Sequence, residues 1–236
     1  MTNILVTGSS RGIGAAILQA LDTDGVTAIG QSTQGSAGGA LAADFADPAA
    51  PRDLWDRTLA RLDGRIDVLV NNAGVFEANA IDQDDTAWVA NWDRTMRINL
   101  TASAELCRLA VLHWRERGAS GRIVNVASRA AYRGDSPAHW HYAASKAGMV
   151  AMTKSIARGY AGQGILAFAI CPGFTMTGMA DEYLASRGGD KLLADIPLGR
   201  VAMPGEVAEM ARWLALDAPA SMTGAVLDVN GASYVR

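Results

Sequence analysis

The sequence has few of the residues on which disulfide-rich proteins and metal sites depend. Among its 236 residues only 2 are cysteine and 3 are histidine. Cys107 and Cys171 are isolated and match neither a metal-ligand spacing nor a redox spacing, so we expect two free, buried thiols. These counts exclude a disulfide framework, and no cluster of His, Cys and carboxylate residues indicates a metal ion.

A large excess of charge and long apolar runs are also missing. Charged residues make up 19% of the chain, and its formal net charge is -3 at pH 7. This balance gives no reason to expect nucleic acid or an anionic membrane as a partner. No apolar stretch is long enough to span a bilayer, and no signal peptide precedes the strand-like run that starts at Ile4. We therefore expect a cytoplasmic protein.

What the chain does have is an alternation of apolar, strand-like runs with helical segments. Half of its residues are hydrophobic, which suits one packed core. No internal repeat or linker divides the chain, so residues 1–236 are predicted to form a single domain. The alternation indicates the α/β class, with a Rossmann-type, doubly wound parallel sheet flanked by helices. Residues 175–198 show no strong periodicity, and we expect them to cover a substrate.

The first predicted strand leads into a glycine-rich loop and an Ala-rich helix. This order directs a helix N-terminus and bare backbone N–H groups at a phosphate. An ordinary strand-to-helix turn is a fair alternative, because a glycine loop alone is weak evidence. The loop residues predicted to contact a dinucleotide are Gly8, Ser9, Ser10, Arg11, Gly12, Ile13 and Gly14.

Polar and small residues stand at the ends of the other predicted strands. They include Asp44, Asn72, Ser128 and the pair Pro172-Gly173. In a doubly wound sheet, ligands bind over the carboxyl ends of the strands. We therefore expect these residues to line one crevice together with the glycine loop.

Tyr142 and Lys146 are four residues apart, at the opening of a predicted helix that continues over residues 143–161. Residues at this spacing share a helix face, so the phenol and the ammonium group are predicted to lie side by side. A fixed cation favours the phenolate and lowers the pKa of a phenol, which suits proton transfer near neutral pH. The spacing alone could arise by chance, and its weight comes from the other motifs.

Taken together, these motifs resemble those of the classical short-chain dehydrogenases/reductases. The residues that carry the likeness are Thr7-Gly8-x-x-x-Gly12-x-Gly14, Asn71-Asn72-Ala73-Gly74, Asn99, Ser128, Tyr142-x-x-x-Lys146 and Pro172-Gly173-x-x-x-Thr177. Within the family, the glycine loop and the closing segment Val229–Tyr234 are most similar to 3-oxoacyl-(acyl carrier protein) reductases. The resemblance implies hydride transfer between a nicotinamide dinucleotide and a small carbonyl or secondary alcohol substrate, without a metal.

The resemblance also implies a role for each of four residues. Tyr142 would protonate the carbonyl oxygen, and Lys146 would lower the phenol pKa and donate to the ribose hydroxyls of the cofactor. Ser128 would donate to the substrate oxygen, and Asn99 would hold a water that relays protons to Lys146. Each residue has a plainer alternative: a strand-end cap for Ser128, a helix-bending polar residue for Asn99 and a solvated side chain for Lys146.

We predict NADP(H) rather than NAD(H) as the cofactor. NAD-dependent enzymes usually have a carboxylate at the end of the second strand, whereas this chain reads Gly30-Gln31-Ser32-Thr33 there. Arg11 could pair with a 2′-phosphate, although a surface charge is the competing interpretation. The resemblance extends the predicted cofactor contacts beyond the glycine loop to Thr33, Asp44, Phe45, Asn72, Ala73, Gly74, Tyr142, Lys146, Pro172, Gly173, Thr175 and Thr177.

The substrate is the least determined feature. Ala119 and Gln163 stand where the resemblance implies arginines that bind an acidic carrier. Arg129 and Arg133 are candidates to replace them, with solvated charges as the alternative. We expect Trp140 to form a wall of the substrate pocket.

The resemblance also implies a homotetramer that pairs the helices following Asn99 and Tyr142. Leu106 and Met149 suit such a shared face, but they also suit the core of a monomer. A dinucleotide-binding regulator without turnover is the alternative to an enzyme. The combination of Asn99, Ser128, Tyr142 and Lys146 favours the enzyme, because a sensor has no physical need of it.

Overall fold

The computed structural model describes residues 1–36, 39–176 and 193–236. Its strands form one parallel, seven-stranded sheet in the order β3-β2-β1-β4-β5-β6-β7. The strands are β1 (Thr2–Val6), β2 (Val26–Ser32), β3 (Leu41–Ala42), β4 (Val68–Asn71), β5 (Gly121–Val126), β6 (Ile165–Pro172) and β7 (Val226–Val229).

Helices connect the strands and lie on both faces of the sheet. They are α1 (Gly12–Ala20), α2 (Ala50–Arg61), α3 (Asp85–Met96), α4 (Ala102–Glu116), α5 (Ala130–Arg133), α6 (Trp140–Tyr160) and α7 (Pro204–Leu216). A π-helical turn over Arg97–Thr101 joins α3 to α4. The prediction of a doubly wound α/β sheet is confirmed.

The strand order changes direction at β1. Val6 pairs with Gly30 of β2 on one side and with Val70 of β4 on the other. Chain connections therefore leave β1 in opposite directions, which opens a crevice above its carboxyl end. Because all the strands are parallel, the residues that follow them meet at this same edge.

Two apolar layers hold the helices against the sheet. Trp55 of α2 and Trp114 of α4 are buried on one face, and Ile17 of α1 and Leu214 of α7 are buried on the other. Every residue of β6 is buried, as expected for a parallel strand covered on both faces. Burial of this apolar area is the main stabilising contribution to the fold.

The residues considered for a shared subunit face lie in the interior of the chain. Leu106 and Met149 are both fully buried. Their burial against the sheet explains the apolar pattern without a partner. The core interpretation of these residues is therefore the correct one.

Residues 177–192 of the predicted substrate cover lie outside the described part of the chain. In its described part, Ile196 and Val201 are buried and pack with Phe174, Met176 and Leu193. The Leu198 backbone N–H donates to the Gly231 carbonyl at 3.1 Å. This end of the segment is therefore fixed close to where β6 ends.

Both thiols are free and buried, as the sequence predicts. Burial raises the pKa of Cys107 to about 12 and that of Cys171 to about 11, so both remain protonated near neutral pH. No helix within the described ranges is long and apolar enough to cross a membrane. The same ranges contain no group of three or more potential metal-ligating side chains.

Candidate active site

The glycine loop runs from the end of β1 into the first turn of α1. Gly8 and Gly12 adopt φ angles of 67° and 57°, a region that side chains disfavour. Arg11 stands at the N-cap of α1 but makes no side-chain capping bond, and the first turn contains no acidic residue. The N–H groups at this helix end thus have no side-chain cap, which suits the phosphate oxygens of a dinucleotide.

Close packing requires glycine at two positions of this loop. A Cβ atom on Gly14 would lie 2.1 Å from the Gly8 carbonyl oxygen, and one on Gly8 would lie 2.6 Å from the Ala73 Cα. Both contacts are with backbone atoms, which have little freedom to move. The spacing of the glycines therefore reflects the contact between this loop and the end of β4.

Asn72 and Ala73 hold the loop in place from the end of β4. Their backbone N–H groups donate to Thr7 Oγ1 at 3.0 and 3.1 Å. The Asn72 side-chain amide donates to the carbonyl oxygens of Thr7 and Gly8 at 3.1 and 2.9 Å. These groups, predicted to contact the cofactor, are thus engaged in positioning the loop.

Gln31 is a site residue that the sequence analysis missed. Its buried side chain accepts from the Gly8 N–H at 2.9 Å and donates to the Ala43 carbonyl at 2.7 Å. It thereby ties the glycine loop to β2 and to the end of β3. The available signal was a glutamine inside a strand whose end borders the glycine loop.

The residues predicted on the adenosine side lie at the ends of β2 and β3. Thr33 and Asp44 line the same surface depression, and Asp44 Oδ1 accepts from the Ala46 N–H at 3.0 Å. The side chain of Phe45 is instead buried in the core. The apolar ring of Phe45 therefore packs inward.

Ser9 and Ser10 differ in their surroundings. Ser9 is buried and its hydroxyl donates to the Gln31 carbonyl at 3.1 Å, whereas Ser10 is exposed. Arg11 is exposed and Ile13 packs partly buried against the α1–α7 layer. The polar groups of Ser10 and Arg11 are therefore the side chains of the loop that face outward.

Tyr142 and Lys146 lie on the first turns of α6. The Lys146 Nζ is 5.9 Å from the centre of the Tyr142 ring and donates to the Val126 carbonyl at 3.0 Å. That carbonyl belongs to the last residue of β5, so the lysine ties α6 to the carboxyl edge of the sheet. The two side chains are neighbours, as their spacing predicts.

Their protonation differs from the expectation that Lys146 lowers the phenol pKa. Burial raises the pKa of Tyr142, although its hydrogen bond with Ser128 acts in the opposite direction. Burial also lowers the pKa of Lys146 from 10.5 to about 8. A site of low polarity disfavours phenolate and ammonium alike, so the neutral phenol is the stable form at neutral pH.

Ser128 follows β5 and stands beside this pair. Its hydroxyl accepts from the Ala130 N–H at 3.1 Å, which starts the short helix α5. Ser128 lowers the pKa of the Tyr142 phenol, so the two hydroxyl groups are close neighbours. Two O–H donors at one point can hold a single oxygen atom of a ligand.

Asn99 lies in the π-helical turn between α3 and α4. Its side chain accepts from the Val75 N–H at 2.8 Å and donates to the Val75 carbonyl at 3.0 Å and to Ser145 Oγ at 3.3 Å. Ser145 Oγ in turn donates to the Tyr142 carbonyl at 2.7 Å. Asn99 therefore connects the loop after β4 to the start of α6.

Gly74 separates Asn99 from Lys146. A Cβ atom at this position would lie 3.3 Å from Asn99 Oδ1 and 3.5 Å from Lys146 Nζ. Both polar atoms thus border the same small space. Glycine keeps this space open, as a water between them would need.

The segment after β6 forms the far wall of the crevice. A Cβ atom on Gly173 would lie 2.9 Å from the Asn230 Cα and Cβ atoms, so glycine lets β6 and the segment after β7 approach each other. Thr175 is buried and donates to the Gly173 carbonyl at 3.2 Å. Pro172 ends β6, and Thr177 lies outside the described residues.

The aromatic rings next to Tyr142 are not those that the sequence indicated. Phe76 packs edge-on to Tyr142 with ring centres 4.8 Å apart and stacks on His139 at 4.0 Å. Trp140 is 54% exposed and lies with Ile81 in a separate surface depression. Trp140 shares this depression with Trp88 and Val89 of α3, and its place in the wall of a substrate pocket stays a prediction.

A buried chain of amides fixes α6 to the sheet. Asn71 Nδ2 donates to Asn125 Oδ1 at 2.9 Å, and Asn125 Nδ2 donates to Thr153 Oγ1 at 2.8 Å. These residues belong to β4, β5 and α6. The sequence signal for these bonds is the presence of two asparagines within apolar strands, a signal that the predictions above leave out.

Comparisons with known proteins agree with this arrangement. A family model described as enoyl-(acyl carrier protein) reductase matches residues 8–232. A 3-oxoacyl-(acyl carrier protein) reductase of Escherichia coli K12 is 33% identical over 242 residues, which cover 98% of this chain and 96% of that protein. A D-threitol dehydrogenase of Mycolicibacterium smegmatis is 35% identical over 246 residues, which cover 98% of this chain and 92% of that protein.

A solved structure from Agrobacterium tumefaciens is similar over the whole chain. It carries the name 2-deoxy-D-gluconate 3-dehydrogenase and contains bound NADP. The two chains share 30% sequence identity and superpose with a TM-score of 0.87, covering 100% of this chain and 97% of the other. The likeness therefore includes the strand ends that form the crevice.

Proposed function

The chain belongs to the short-chain dehydrogenase/reductase family, and from that premise we propose that it transfers hydride between NADP(H) and a carbonyl or secondary alcohol substrate. The observation that carries the proposal is the meeting of Ser128, Tyr142 and Lys146 at one edge of the sheet. The side-chain-uncapped N-terminus of α1 lies at the same edge. A regulator without turnover would need the N-terminus of α1 to bind a dinucleotide, but it would not need the three side chains.

The proton chemistry belongs to Tyr142. Because burial raises the pKa of its phenol, the hydroxyl remains protonated at neutral pH and can donate to a carbonyl oxygen that gains negative charge. In the reverse direction the phenolate would have to accept the hydroxyl proton of the alcohol. The raised pKa therefore favours reduction at neutral pH and oxidation at higher pH.

Ser128 supplies a second donor to the same oxygen. Its hydroxyl lies within hydrogen-bonding reach of the Tyr142 phenol, so both can hold the carbonyl oxygen as charge develops on it. Removal of one such donor typically costs about 10²- to 10³-fold in kcat.

Lys146 and Asn99 would return the proton that Tyr142 has given away. With its pKa lowered to about 8 by burial, Lys146 can both donate and accept near neutral pH. Asn99 Oδ1 and Lys146 Nζ border the space beside Gly74. A water held there would connect the lysine to the loop after β4.

The residues of the crevice fit a nicotinamide dinucleotide. When bound, the reduced nicotinamide supplies the hydride that this reaction needs. The N-terminus of α1 would hold the pyrophosphate, and the Lys146 ammonium group would donate to ribose hydroxyls. The proposed contacts are Gly8, Ser9, Ser10, Arg11, Gly12, Ile13, Gly14, Thr33, Asp44, Phe45, Asn72, Ala73, Gly74, Tyr142, Lys146, Pro172, Gly173, Thr175 and Thr177.

The preference for NADP(H) over NAD(H) rests on the end of β2. Gln31 occupies the end of this strand as a neutral, buried amide, and no carboxylate follows it to repel a 2′-phosphate. The Ser32 hydroxyl donates to the Gly35 carbonyl at 3.1 Å, which leaves the exposed Thr33 and Arg11 as the proposed donors. An Arg11→Ala variant should weaken NADPH binding about tenfold and leave NADH binding within about twofold.

An assay of NADPH oxidation against ketones, β-keto esters and 3-oxoacyl thioesters tests the proposed reaction. We expect turnover with at least one neutral carbonyl compound, and a loss of about 10²- to 10³-fold in kcat for Ser128→Ala. NADPH binding by that variant should stay within about twofold. Binding of NADPH without turnover of any compound would favour the regulator instead.

We further propose a homotetramer, as the family resemblance implies. The observation in its support is that β7 is the edge strand of the described sheet and is only partly buried. An edge strand offers backbone groups to a second copy. Light scattering should give four times the chain mass, and a stable monomer would contradict this proposal.

A further inference from the structure

Two arginines that follow Ser128 closely in the chain, Arg129 and Arg133, both lie beside the carboxylate of Asp195. Arg129 is the residue after Ser128, and its backbone N–H donates to the Pro172 carbonyl at 2.9 Å. Its guanidinium group lies 4.9 Å from the centre of the Phe174 ring. Arg129 is thus held between the ends of β5 and β6, beside the described end of the substrate cover.

Among the described residues, the arginines of this cluster outnumber the carboxylates that pair with them directly. Arg133 forms a close ion pair with Asp195 Oδ2, and Arg129 Nη1 lies 3.6 Å from the same oxygen. Asp135 also acts on Arg129 electrostatically, but it forms no ion pair with either arginine within the described residues. Two guanidinium groups therefore share one directly paired carboxylate among the described residues, and Arg129 is the more weakly paired of the two.

The more weakly paired arginine is also the more deeply buried one. The Arg129 side chain is 11% exposed and that of Arg133 is 38% exposed. Arg129 Nη1 is buried and has no hydrogen-bond acceptor among the described residues. A buried N–H donor without an acceptor is costly, and a ligand that supplies an acceptor would remove this cost.

We propose that Arg129 binds a carboxylate of the substrate, so that the preferred substrates are small oxo acids or the corresponding hydroxy acids. This inference rests on the proposed function. Arg129 follows Ser128 in the chain and packs on Phe174, the residue after Gly173 in the far wall of the crevice, so the proposal places the anionic group a few bonds from the reacting carbonyl. A small oxo acid meets this condition, whereas the phosphate of a carrier-bound thioester lies at the far end of a long arm.

The competing explanation is a purely structural one. Arg129 could serve only to fix the segment around Asp195 against α5, as Arg133 also does. Loss of a structural anchor would affect acidic and neutral substrates equally. The ratio of kcat/KM for an oxo acid to kcat/KM for its methyl ester therefore separates the two explanations.

The experiment compares wild type, Arg129→Gln and the matched control Arg133→Gln on short oxo acids and their methyl esters. Wild type should prefer the acid, and Arg129→Gln should lose about 10- to 100-fold in kcat/KM for the acid. Its activity on the ester should stay within about threefold. For Arg133→Gln, kcat/KM for the acid and for the ester should both stay within about threefold of the wild-type values.

A second variant tests the same charge balance in the opposite direction. Asp195→Asn removes the paired carboxylate, so the preference for the acid over the ester should increase. NADPH titrations of all variants report whether the crevice remains folded. Equal losses on acid and ester in Arg129→Gln, or no preference for acids in wild type, would overturn the proposal.

The assay also separates this inference from the proposed reaction. Turnover of neutral esters without any preference for acids would remove the inference and leave the hydride transfer in place. A 3-oxoacyl thioester of coenzyme A that depends on Arg129 as strongly as the oxo acid does would overturn the assignment to a carboxylate. A thioester that turns over independently of Arg129 would support it.

Discussion

The two sides of the crevice are built from different parts of the chain. On the cofactor side, backbone groups and buried amides meet at short range: a Cβ atom on Gly14 would lie 2.1 Å from the Gly8 carbonyl oxygen. On the substrate side, side chains from separate loops form the surface, and Phe76 is 38% exposed. Backbone contacts tolerate few substitutions, while loop side chains can change with little effect on the fold. Substitutions should therefore have different consequences on the two sides.

The largest effect is expected from Gly14→Ala, on the cofactor side. The new methyl group would meet the Gly8 carbonyl and the Asn72 side chain, so the loop must move and NADPH binding should be lost. Overpacking of this kind typically destabilises a protein by about 1–3 kcal/mol. Calorimetry measures the binding of NADPH, and urea unfolding measures the change in stability.

Gly159→Ala is the matched control for that variant. Gly159 is an exposed residue near the end of α6 with no atom near its Cβ position. Alanine should therefore stabilise the helix by about 0.5–1 kcal/mol. A loss of NADPH binding in Gly159→Ala, or its retention in Gly14→Ala, would contradict the contrast between the tightly packed Gly14 and the exposed Gly159.

Lys146 connects the two sides of the crevice. The substitution Lys146→Met should change the free energy of unfolding and the activity in different ways. The pKa of Lys146 is lowered by burial from 10.5 to about 8, so the folded protein binds this proton less readily than the unfolded chain. The resulting penalty is fully present below pH 8 and disappears as the pH rises to 10.5. The shift corresponds to about 3 kcal/mol.

The methionine variant lacks this penalty but also loses the bond from Nζ to the Val126 carbonyl. The stability of the variant relative to wild type should therefore fall by about 3 kcal/mol as the pH rises from 8 to 10.5, and the variant should be inactive. Urea unfolding of both proteins across this pH range gives the difference. A difference in stability that does not depend on pH would refute the assignment of the penalty to Lys146.

Gln31→Met tests the amide that ties the glycine loop to β2 and β3. It leaves the Gly8 N–H and the Ala43 carbonyl without their partner, which should cost about 1–3 kcal/mol of stability. NADPH binding should weaken about tenfold. The exposed Gln34, replaced in the same way, should show neither effect, and equal behaviour of the two variants would remove the role of Gln31.

The smallest effect is expected from Phe76→Ala, on the substrate side. It removes a ring that packs on Tyr142 and His139, so KM for ketones should rise a few fold while NADPH binding stays the same. Ile81→Ala, at an exposed position away from these rings, serves as control. A large loss of stability in Phe76→Ala would show that this side is as tightly built as the other.

The same contrast explains what the sequence could predict. The helix α7 begins at Pro204 and ends at Leu216, and a proline at the first helical position is a signal that the local sequence carries. The glycine loop and the pair Tyr142 and Lys146 likewise carry fixed local spacings. Elements whose signal is local could therefore be predicted.

Contacts between residues far apart in the chain could not be predicted from the sequence. The bond between Gln31 and Gly8, the ring contact of Phe76 with Tyr142 and the ion pairs of Asp195 depend on how loops meet in three dimensions. The raised pKa of Tyr142 escaped prediction for the same reason, since burial at the site outweighs the nearby lysine. Spacing indicated the neighbours but not the polarity of their surroundings.

Tyr142→Phe tests the central claim most directly, by single-turnover oxidation of enzyme-bound NADPH in the presence of a ketone. The substitution removes the proton donor but keeps the ring that packs on Phe76. The rate should fall by about 10²- to 10⁴-fold, while the Kd for NADPH changes by less than about threefold. Turnover at the wild-type rate would contradict the assignment of proton transfer to Tyr142.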